Sequence, residues 1–174
     1  MRKKKGLKDY IRNIPNFPKT GILFRDITTL LKDHKAFKKA LDILANKYKQ
    51  RKIDLVVAVE ARGFILGGAI AYKLGAGFVP VRKIGKLPWK TNAVTYALEY
   101  GTDTLEMHHD AIKPGDKILI VDDLLATGGT VKAVTDLVRQ LKGKIVGIAF
   151  LIELADLKGK EKLKDYPVYS LIKY

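Results

Sequence analysis

Continuous apolar runs alternate with helical apolar spacing along most of the chain. Runs typical of strands buried on both faces lie at residues 55–59, 78–81, 117–121 and 145–152. The spacing after the first run predicts a helix through Ala71 and Leu74 that ends at Gly75. The third run precedes a second helix, whose inward face would be Val131, Val134, Leu137, Val138 and Leu141. This alternation predicts an α/β fold with a mostly parallel twisted sheet and helices on both faces.

The N-terminal residues follow a different pattern. Leu7, Tyr10 and Ile11 have helical spacing and predict a short opening helix. Two prolines and a glycine in residues 14–21 argue against regular structure there. Asp33 is a suitable N-cap for a helix with an apolar face of Phe37, Ala40, Leu41, Leu44 and Tyr48.

The segment between the second and third apolar runs interrupts the α/β order. Residues 85–92 have the composition of a loop, and residues 95–109 alternate around Gly101-Thr102-Asp103. This pattern predicts a two-stranded excursion away from the main sheet. Long insertions in compact domains often act as lids. We therefore expect one domain over residues 1–174, with an N-terminal segment, an α/β core and an inserted hairpin.

Composition narrows the classes of protein that fit. The formal net charge is +15, but the basic residues are dispersed and form no stripe interleaved with aromatics. This favours a solvated surface that attracts a small anion over a nucleic-acid partner. The chain has no cysteine, which excludes disulfides and thiolate chemistry and fits a reducing cytoplasm. Because it also lacks a long apolar run and a secretory pattern, we expect a cytoplasmic protein without a membrane partner.

The sequence VDDLLATGGT at residues 121–130 has the strongest chemical signal. We expect the strand to end at Val121, at the sheet edge where α/β proteins bind ligands. Two adjacent carboxylates there can accept hydrogen bonds from vicinal hydroxyls. The following Thr-Gly-Gly-Thr run can turn successive N–H groups and a helix N-terminus toward a phosphate. An ordinary strand-to-helix turn would explain Asp123 and one glycine but not the whole run, and no Walker loop is present.

This run resembles the phosphoribosyl-pyrophosphate (PRPP) signature of the type I phosphoribosyltransferases. Its Leu124-Leu125-Ala126 form is similar to the adenine branch of that family. The resemblance implies that Asp122 and Asp123 hold the ribose hydroxyls. It assigns the 5-phosphate to Ala126, Thr127, Gly128, Gly129 and Thr130.

A second matching segment, Glu60-Ala61-Arg62-Gly63, directly follows the first buried strand. On its own, the Glu60 and Arg62 pair is as consistent with a structural ion pair as with a site. Similar loops in the family bind pyrophosphate and commonly contain a cis peptide bond. The resemblance therefore implies a cis Glu60–Ala61 bond, a pyrophosphate role for all four residues, and a catalytic role for Arg62.

The inserted segment also resembles the adenine branch, and it implies a mobile lid over residues 83–109. Arg82, Lys83 and Lys86 would bind pyrophosphate, Arg82 reaching across a dimer interface, although solvated surface lysines would look the same. Lys86 would also be catalytic, with Glu99 as the acid/base toward the purine, unless Glu99 is one outward carboxylate of a strand. Trp89 stands where the family usually has glycine, which predicts a stiffer or stacking lid.

Residues 1–32 resemble the family's hood over the base. Backbone groups around Leu23 and Arg25, together with Leu125, would bind adenine. The alternative for this segment is that its apolar residues belong to the core, which fits Phe24 best.

The resemblance implies transfer of the 5-phosphoribosyl group from PRPP to adenine, which gives AMP and pyrophosphate in purine salvage. Mg²⁺ would be held mainly by PRPP, since no dedicated metal cluster is apparent and His108 and His109 fit surface positions. A homodimer is expected. The alternatives are transfer to another purine base, or a PRPP-sensing regulator that binds nucleic acid. The regulator would need an extra DNA-binding domain, for which we expect no room.

Overall fold

The computed structural model describes residues 5–97 and 101–174. The chain divides into two compact units, residues 1–43 and residues 44–174. Within the described residues, no helix combines the length and the apolar character that crossing a membrane would require.

The first unit contains short elements around a two-stranded sheet. Its secondary structure comprises a 3-10 helix at Leu7–Tyr10, β1 at Arg12–Pro15, β2 at Leu23–Asp26, α1 at Thr28–Leu31 and the start of α2, which spans His34–Tyr48. The predicted cap of α2 is confirmed, because the backbone N–H of Ala36 donates to Asp33 Oδ1 at 2.9 Å.

The prediction of no regular structure over residues 14–21 was wrong at its start. Ile14 and Pro15 belong to β1 and pair with Phe24 and Leu23 of β2 in antiparallel register. Proline is tolerated at the end of a ribbon strand, where its missing N–H breaks no ladder. The turn after Pro15 contains a cis Phe17–Pro18 peptide bond.

A seven-stranded sheet of the described residues forms the second unit, in the order β5-β6-β4-β3-β7-β8-β9. Its strands are β3 at Leu55–Val59, β4 at Gly77–Lys83, β5 at Thr91–Ala97, β6 at Thr102–His108, β7 at Lys117–Leu125, β8 at Lys144–Glu153 and β9 at Val168–Lys173. The strands β4, β3, β7, β8 and β9 run parallel, which confirms the predicted core.

The two long helices of this unit cover opposite faces of the sheet. α4, at Gly129–Gln140, packs with the inward residues Val57 and Val59 of β3. α3, at Arg62–Leu74, lies on the other face, where Gly67 is so close to Ala58 that an added Cβ would lie 2.6 Å from the Ala58 Cβ. Gly75 ends α3 in the left-handed conformation at φ 66°, as predicted.

Two strand predictions need correction. The hairpin β5–β6 does not leave the main sheet but extends it at one edge, because Arg82 and Lys83 of β4 pair with Glu106 and Leu105 of β6. The strand predicted to end at Val121 continues to Leu125, since β8 is long enough to pair with it up to that residue.

β9 and the short 3-10 helices at Ala155–Leu157 and Gly159–Leu163 were not predicted. β9 is an edge strand with few fully buried positions, so its sequence lacks the continuous apolar run of the inner strands.

Candidate active site

The sheet order brings three of the predicted motifs to one edge. β3 lies between β4 and β7, and all three strands run parallel. Their carboxyl ends therefore meet. That edge carries residues 60–63 after β3, residues 82–86 at the end of β4 and beyond it, and residues 122–130 at the end of β7 and beyond it. Ligands of open α/β sheets bind at this edge.

The end of β7, the loop after it and Arg62 form a pocket of about 230 Å³. Its lining consists of Arg62, Asp122, Asp123, Leu124, Leu125, Ala126, Thr127, Gly128, Gly129, Thr130 and Val131. Gly128 is the N-cap of α4 and has φ 79°, a conformation that favours glycine. The helix N-terminus and the adjacent loop N–H groups make this pocket suited to an anion.

Asp122 and Asp123 are buried residues of β7, not an exposed turn beyond its end. Asp122 Oδ1 accepts the backbone N–H of Asp123 at 2.9 Å. Burial and the neighbouring charge of Asp123 raise the pKa of Asp122 well above its usual range. Burial also raises the pKa of Asp123, although the charge of Arg62 opposes the shift. The two carboxylates therefore share a site that disfavours double ionisation.

Arg62 connects two of the motifs. It is the first residue of α3, and its Nη2 lies 2.9 Å from Asp123 Oδ2. That oxygen is buried and accepts no hydrogen bond of good geometry from the part of the chain that the structure describes. A buried carboxylate oxygen without an aligned donor is suited to accept a hydrogen bond from a ligand hydroxyl.

Glu60 contacts three residues at the end of β4 and just beyond it. Its Oε2 accepts hydrogen bonds from Arg82 Nε at 3.1 Å and Nη2 at 2.9 Å, and Lys86 Nζ lies 3.8 Å away. Its Oε1 accepts the N–H of Lys83 at 2.7 Å. Burial alone would raise the pKa of Glu60, but these hydrogen bonds and charges outweigh it and lower the pKa. The Glu60–Ala61 peptide bond is cis, as the resemblance implied.

Lys83 points its ammonium group to the hairpin. Lys83 Nζ lies 3.0 Å from Asp103 Oδ2, and this hydrogen bond and charge raise the pKa of Lys83. Its side chain therefore joins β4 to β6, whereas only its backbone N–H contacts Glu60.

The remaining predicted residues lie elsewhere. Leu23 and Arg25 belong to β2 in the first unit, where Arg25 Nη1 donates to Asn13 Oδ1 at 2.5 Å. Leu23 is 45% exposed, so it is not a core residue. Glu99 lies outside the described residues. Trp89 is 61% exposed in the segment that precedes β5.

Comparison with known proteins gives one consistent family. The sequence model of the phosphoribosyl transferase domain matches residues 26–174. The chain is 61% identical over 168 residues to an adenine phosphoribosyltransferase of Acidobacterium capsulatum, a match that covers 97% of this chain and 93% of the relative. The chain belongs to the adenine phosphoribosyltransferase family.

Solved structures of this family have the same fold. The adenine phosphoribosyltransferase of Thermoanaerobacter pseudethanolicus matches with a TM-score of 0.94 at 55% identity, covering 97% of this chain and 98% of that one. The Saccharomyces cerevisiae enzyme, crystallised with adenine and an imino-altritol bisphosphate, matches with a TM-score of 0.90 at 43% identity over 95% and 96% of the two chains. The predicted fold and the predicted phosphoribosyl transfer to adenine are confirmed.

Sequence reasoning missed two residues that shape this adenine phosphoribosyltransferase site. Gly159 packs so closely against the loop over residues 126–128 that an added Cβ would lie 2.2 Å from Ala126 O. Glu106 of β6 is 4% exposed and accepts backbone N–H groups from Lys86 and Leu87. Gly159 belongs to none of the motifs that the sequence analysis singles out. Glu106 stands in a strand between apolar neighbours, a position that gives no signal of its contacts.

Proposed function

We propose that the pocket over residues 122–131 holds the ribose 5-phosphate part of PRPP during transfer to adenine. The observation that carries this assignment is the combination of a buried Asp123 Oδ2 without an aligned donor and an adjoining helix N-terminus. A ribose hydroxyl can supply the missing donor, while the N–H and hydroxyl groups of Thr127 to Thr130 suit a phosphate dianion.

Pyrophosphate would lie beside Glu60, Ala61, Arg62 and Gly63, within reach of the cations at the end of β4 and just beyond it. In the reaction, the bond between the anomeric carbon and N9 of adenine forms, and the bond from that carbon to the pyrophosphate oxygen breaks. Negative charge grows on the departing oxygen. Arg62, Arg82 and Lys86 carry positive charges that stabilise this change if they turn from their carboxylates to the leaving group.

Two further roles concern the adenine base, namely acceptance of its N9 proton and recognition of its edge. We propose that Glu99 accepts the N9 proton of adenine, as the family resemblance implies. We assign recognition of the base to Leu125 and to the backbone near Leu23 and Arg25. Within the described residues β2 pairs with a strand on one side only, namely β1. Backbone groups of a strand edge can distinguish the N1 acceptor and 6-amino donor of adenine from an oxopurine.

Magnesium fits this site as an ion carried by the substrate. No group of three or more potential ligands forms a metal cluster within residues 5–97 and 101–174. Mg²⁺ commonly binds through one or two carboxylates plus substrate phosphates, and Asp122 and Asp123 are the carboxylates at the pocket. When bound, the ion would neutralise charge on the departing pyrophosphate.

A homodimer is supported by apolar side chains on the outer surface of the second unit. Tyr72 is 89% exposed, and Ile65 lies seven residues earlier, on the same side of α3. Phe78 of β4 is also exposed. A patch of this kind favours association with a second copy. The proposed reach of Arg82 across such an interface would require it to leave Glu60 of its own chain.

We also propose that the enzyme acts in the cytoplasm. PRPP, AMP and pyrophosphate carry phosphate charges and do not cross a bilayer unaided, and the cysteine-free chain suits a reducing compartment.

A direct assay tests the proposed function. Purified enzyme is supplied with PRPP, Mg²⁺ and either adenine or hypoxanthine, and nucleotide formation is followed. We expect AMP from adenine and at least about 100-fold lower kcat/KM with hypoxanthine, because unpaired polar groups in a site reject the wrong base. Absence of AMP would overturn the proposal, and a DNA mobility shift abolished by PRPP would then favour the regulator.

Matched carboxylate variants test the pocket itself. Asp123→Asn should raise the KM for PRPP by about tenfold or more, the effect of losing a charged hydrogen-bond acceptor. Asp136→Asn, on the exposed side of α4, is the control and should leave that KM unchanged. Equal KM values for the two variants would contradict the assignment of the ribose to Asp123.

A further inference from the structure

Glu106 is a buried acid that the reaction described above does not use. It lies in β6 between Leu105 and Met107, opposite Arg82 of β4 and Ala93 of β5. Its exposure is only 4%, and a carboxylate at such depth is costly unless its oxygens are hydrogen bonded. Arg82 does not supply that bond, since its guanidinium group turns to Glu60.

The donors to Glu106 come instead from the segment that carries Lys86. Glu106 Oε1 accepts the backbone N–H of Lys86 at 3.1 Å and of Leu87 at 3.0 Å, while Oε2 accepts Thr91 Oγ1 at 3.2 Å. Two successive N–H groups converge on one oxygen, which requires a tight turn of the backbone before them. Gly85 provides it with φ 80°.

The carbonyl of the same residue is also held. Arg82 Nη1 donates to Lys86 O at 3.1 Å, and Arg82 Nη2 donates to Glu60. Lys86 is therefore fixed at its N–H by Glu106 and at its carbonyl by Arg82. With its backbone held in this way, its Nζ lies 3.8 Å from Glu60 Oε2.

Backbone hydrogen bonds to the sheet are present on either side of residues 85–89. Ile84 N–H donates to Thr104 O at 3.3 Å, and His109 N–H donates to Lys90 O at 3.0 Å. Between these points, the contacts of Glu106 with Lys86 and Leu87 attach residues 85–89 to the sheet.

We propose that Glu106 is a positioning residue for pyrophosphate binding. It holds the backbone of Lys86 so that the ammonium group of Lys86 and the guanidinium group of Arg82 lie together beside Glu60. This inference rests on the proposed role of Lys86 and Arg82 at the pyrophosphate.

The first test compares Glu106→Ala with Glu106→Gln. The alanine variant leaves two N–H groups without an acceptor, so the KM for pyrophosphate in the reverse reaction should rise by about tenfold or more. The KM for adenine should change by less than about twofold. Glutamine retains an acceptor oxygen for both N–H groups and an amide that can donate to Thr91, so it should restore the pyrophosphate KM to within about threefold.

Trp89 gives a second readout that does not depend on activity. It is the single tryptophan of the chain and lies within the segment that Glu106 holds. Time-resolved fluorescence anisotropy should show faster local motion of Trp89 in Glu106→Ala and wild-type motion in Glu106→Gln. Thr95→Val removes a hydrogen bond to Thr104 in the same hairpin and is the matched control, with no change expected in either readout.

Gly85→Ala covers the case in which Glu106→Ala does not fold. No atom lies within 4 Å of a Cβ added there, so the substitution strains only the turn, through its positive φ. Like Glu106→Ala, it should raise the KM for pyrophosphate and speed up the local motion of Trp89. An unchanged pyrophosphate KM and unchanged anisotropy in a folded Glu106→Ala or Gly85→Ala variant would overturn the inference.

Lys86→Met separates this inference from the proposed function. If Lys86→Met leaves the pyrophosphate KM unchanged, the role assigned to Lys86 is wrong. If that variant raises the KM but Glu106→Ala does not, Lys86 acts without Glu106 and the positioning inference is wrong. If Glu106 acts through Lys86, adding Glu106→Ala to the Lys86→Met variant should raise the KM for pyrophosphate by less than about a further twofold.

Discussion

Arg62 Nη2 lies 2.9 Å from Asp123 Oδ2, although the two residues belong to different elements of the fold. Arg62 begins α3 after β3, and Asp123 is near the end of β7. The contact joins the segment assigned to pyrophosphate with the segment assigned to ribose. Both ends of PRPP would therefore be bound by one connected group of charges.

Removing the Arg62 charge should lower both the stability of the protein and its affinity for PRPP. Arg62→Met leaves Asp123 without its cation, and we expect a destabilisation of about 1–3 kcal/mol and at least about a tenfold rise in the KM for PRPP. Denaturant unfolding and initial rates measure these two effects. Lys38→Met, which removes the exposed Lys38–Asp42 pair, should cost no more than about 0.5 kcal/mol. Equal effects of the two substitutions would mean that the Arg62–Asp123 pair contributes only as a surface ion pair does.

Asp122 should lower stability at neutral pH in exchange for function. Its raised pKa means that the folded chain holds the proton while the unfolded chain releases it above about 3.8, the ordinary value. Stability is therefore present at lower pH and is lost as the pH rises toward the raised pKa. Asp122→Asn removes this loss and keeps an acceptor for the Asp123 N–H.

The expected result for Asp122→Asn is a Tm about 2–4 °C above wild type at pH 8, which corresponds to about 1 kcal/mol in a chain of this size. The two proteins should have nearly equal Tm values at pH 4, and the KM for PRPP should rise in the variant. Thermal unfolding across this pH range makes the comparison. A variant that is less stable than wild type at pH 8 would contradict the assigned pKa direction.

Gly63 should tolerate no side chain while Asp122 is present. A Cβ at Gly63 would lie 2.8 Å from Asp122 Oδ1, so Gly63→Ala should cost about 1–3 kcal/mol of unfolding free energy. In an Asp122→Ala background the obstructing oxygen is gone, and the same substitution should cost less than about 0.5 kcal/mol. Denaturant unfolding of the four proteins gives the coupling energy, and additive effects would refute the contact.

The exposed face of α3 should determine the oligomeric state. Tyr72→Lys places a charge on the proposed dimer patch without disturbing the fold, because Tyr72 is 89% exposed. Sedimentation should give a monomer for this variant and a dimer for wild type. Leu157→Lys, at another exposed apolar position, should remain dimeric. A wild-type monomer, or a Tyr72→Lys dimer, would rule out this interface.

The inner strands and the glycine-containing loop before α4 could be predicted from the sequence because their signals are local. Residues 55–59 and 117–121 are continuous apolar runs, and the Thr-Gly-Gly-Thr run at residues 127–130 stands shortly after the second of them. The residue types at two helix ends are also local signals. Asp33 accepts a hydrogen bond from a backbone N–H at the start of α2, and Gly75 adopts the left-handed conformation at the end of α3.

Features that depend on strand pairing could not be predicted in this way. The continuation of β7 through Asp122 and Asp123 depends on pairing with β8, in which the partner of Asp122 is Phe150, 28 residues further along the chain. The attachment of the hairpin to β4 depends on the register that pairs Arg82 with Glu106. Asp122 and Asp123 of β7 and Glu106 of β6 are buried polar residues at positions where the sequence pattern predicts apolar ones.

The central claim is that the loop from Thr127 to Thr130 holds the 5-phosphate. The most direct measurement is an NMR titration of the amide-labelled enzyme with ribose 5-phosphate, with ribose alone as the control. The account predicts that the amide protons of Thr127, Gly128, Gly129 and Thr130 shift most, because N–H groups that donate to a phosphate become strongly deshielded. Saturable binding that leaves these four amides unmoved and shifts others instead would contradict the claim.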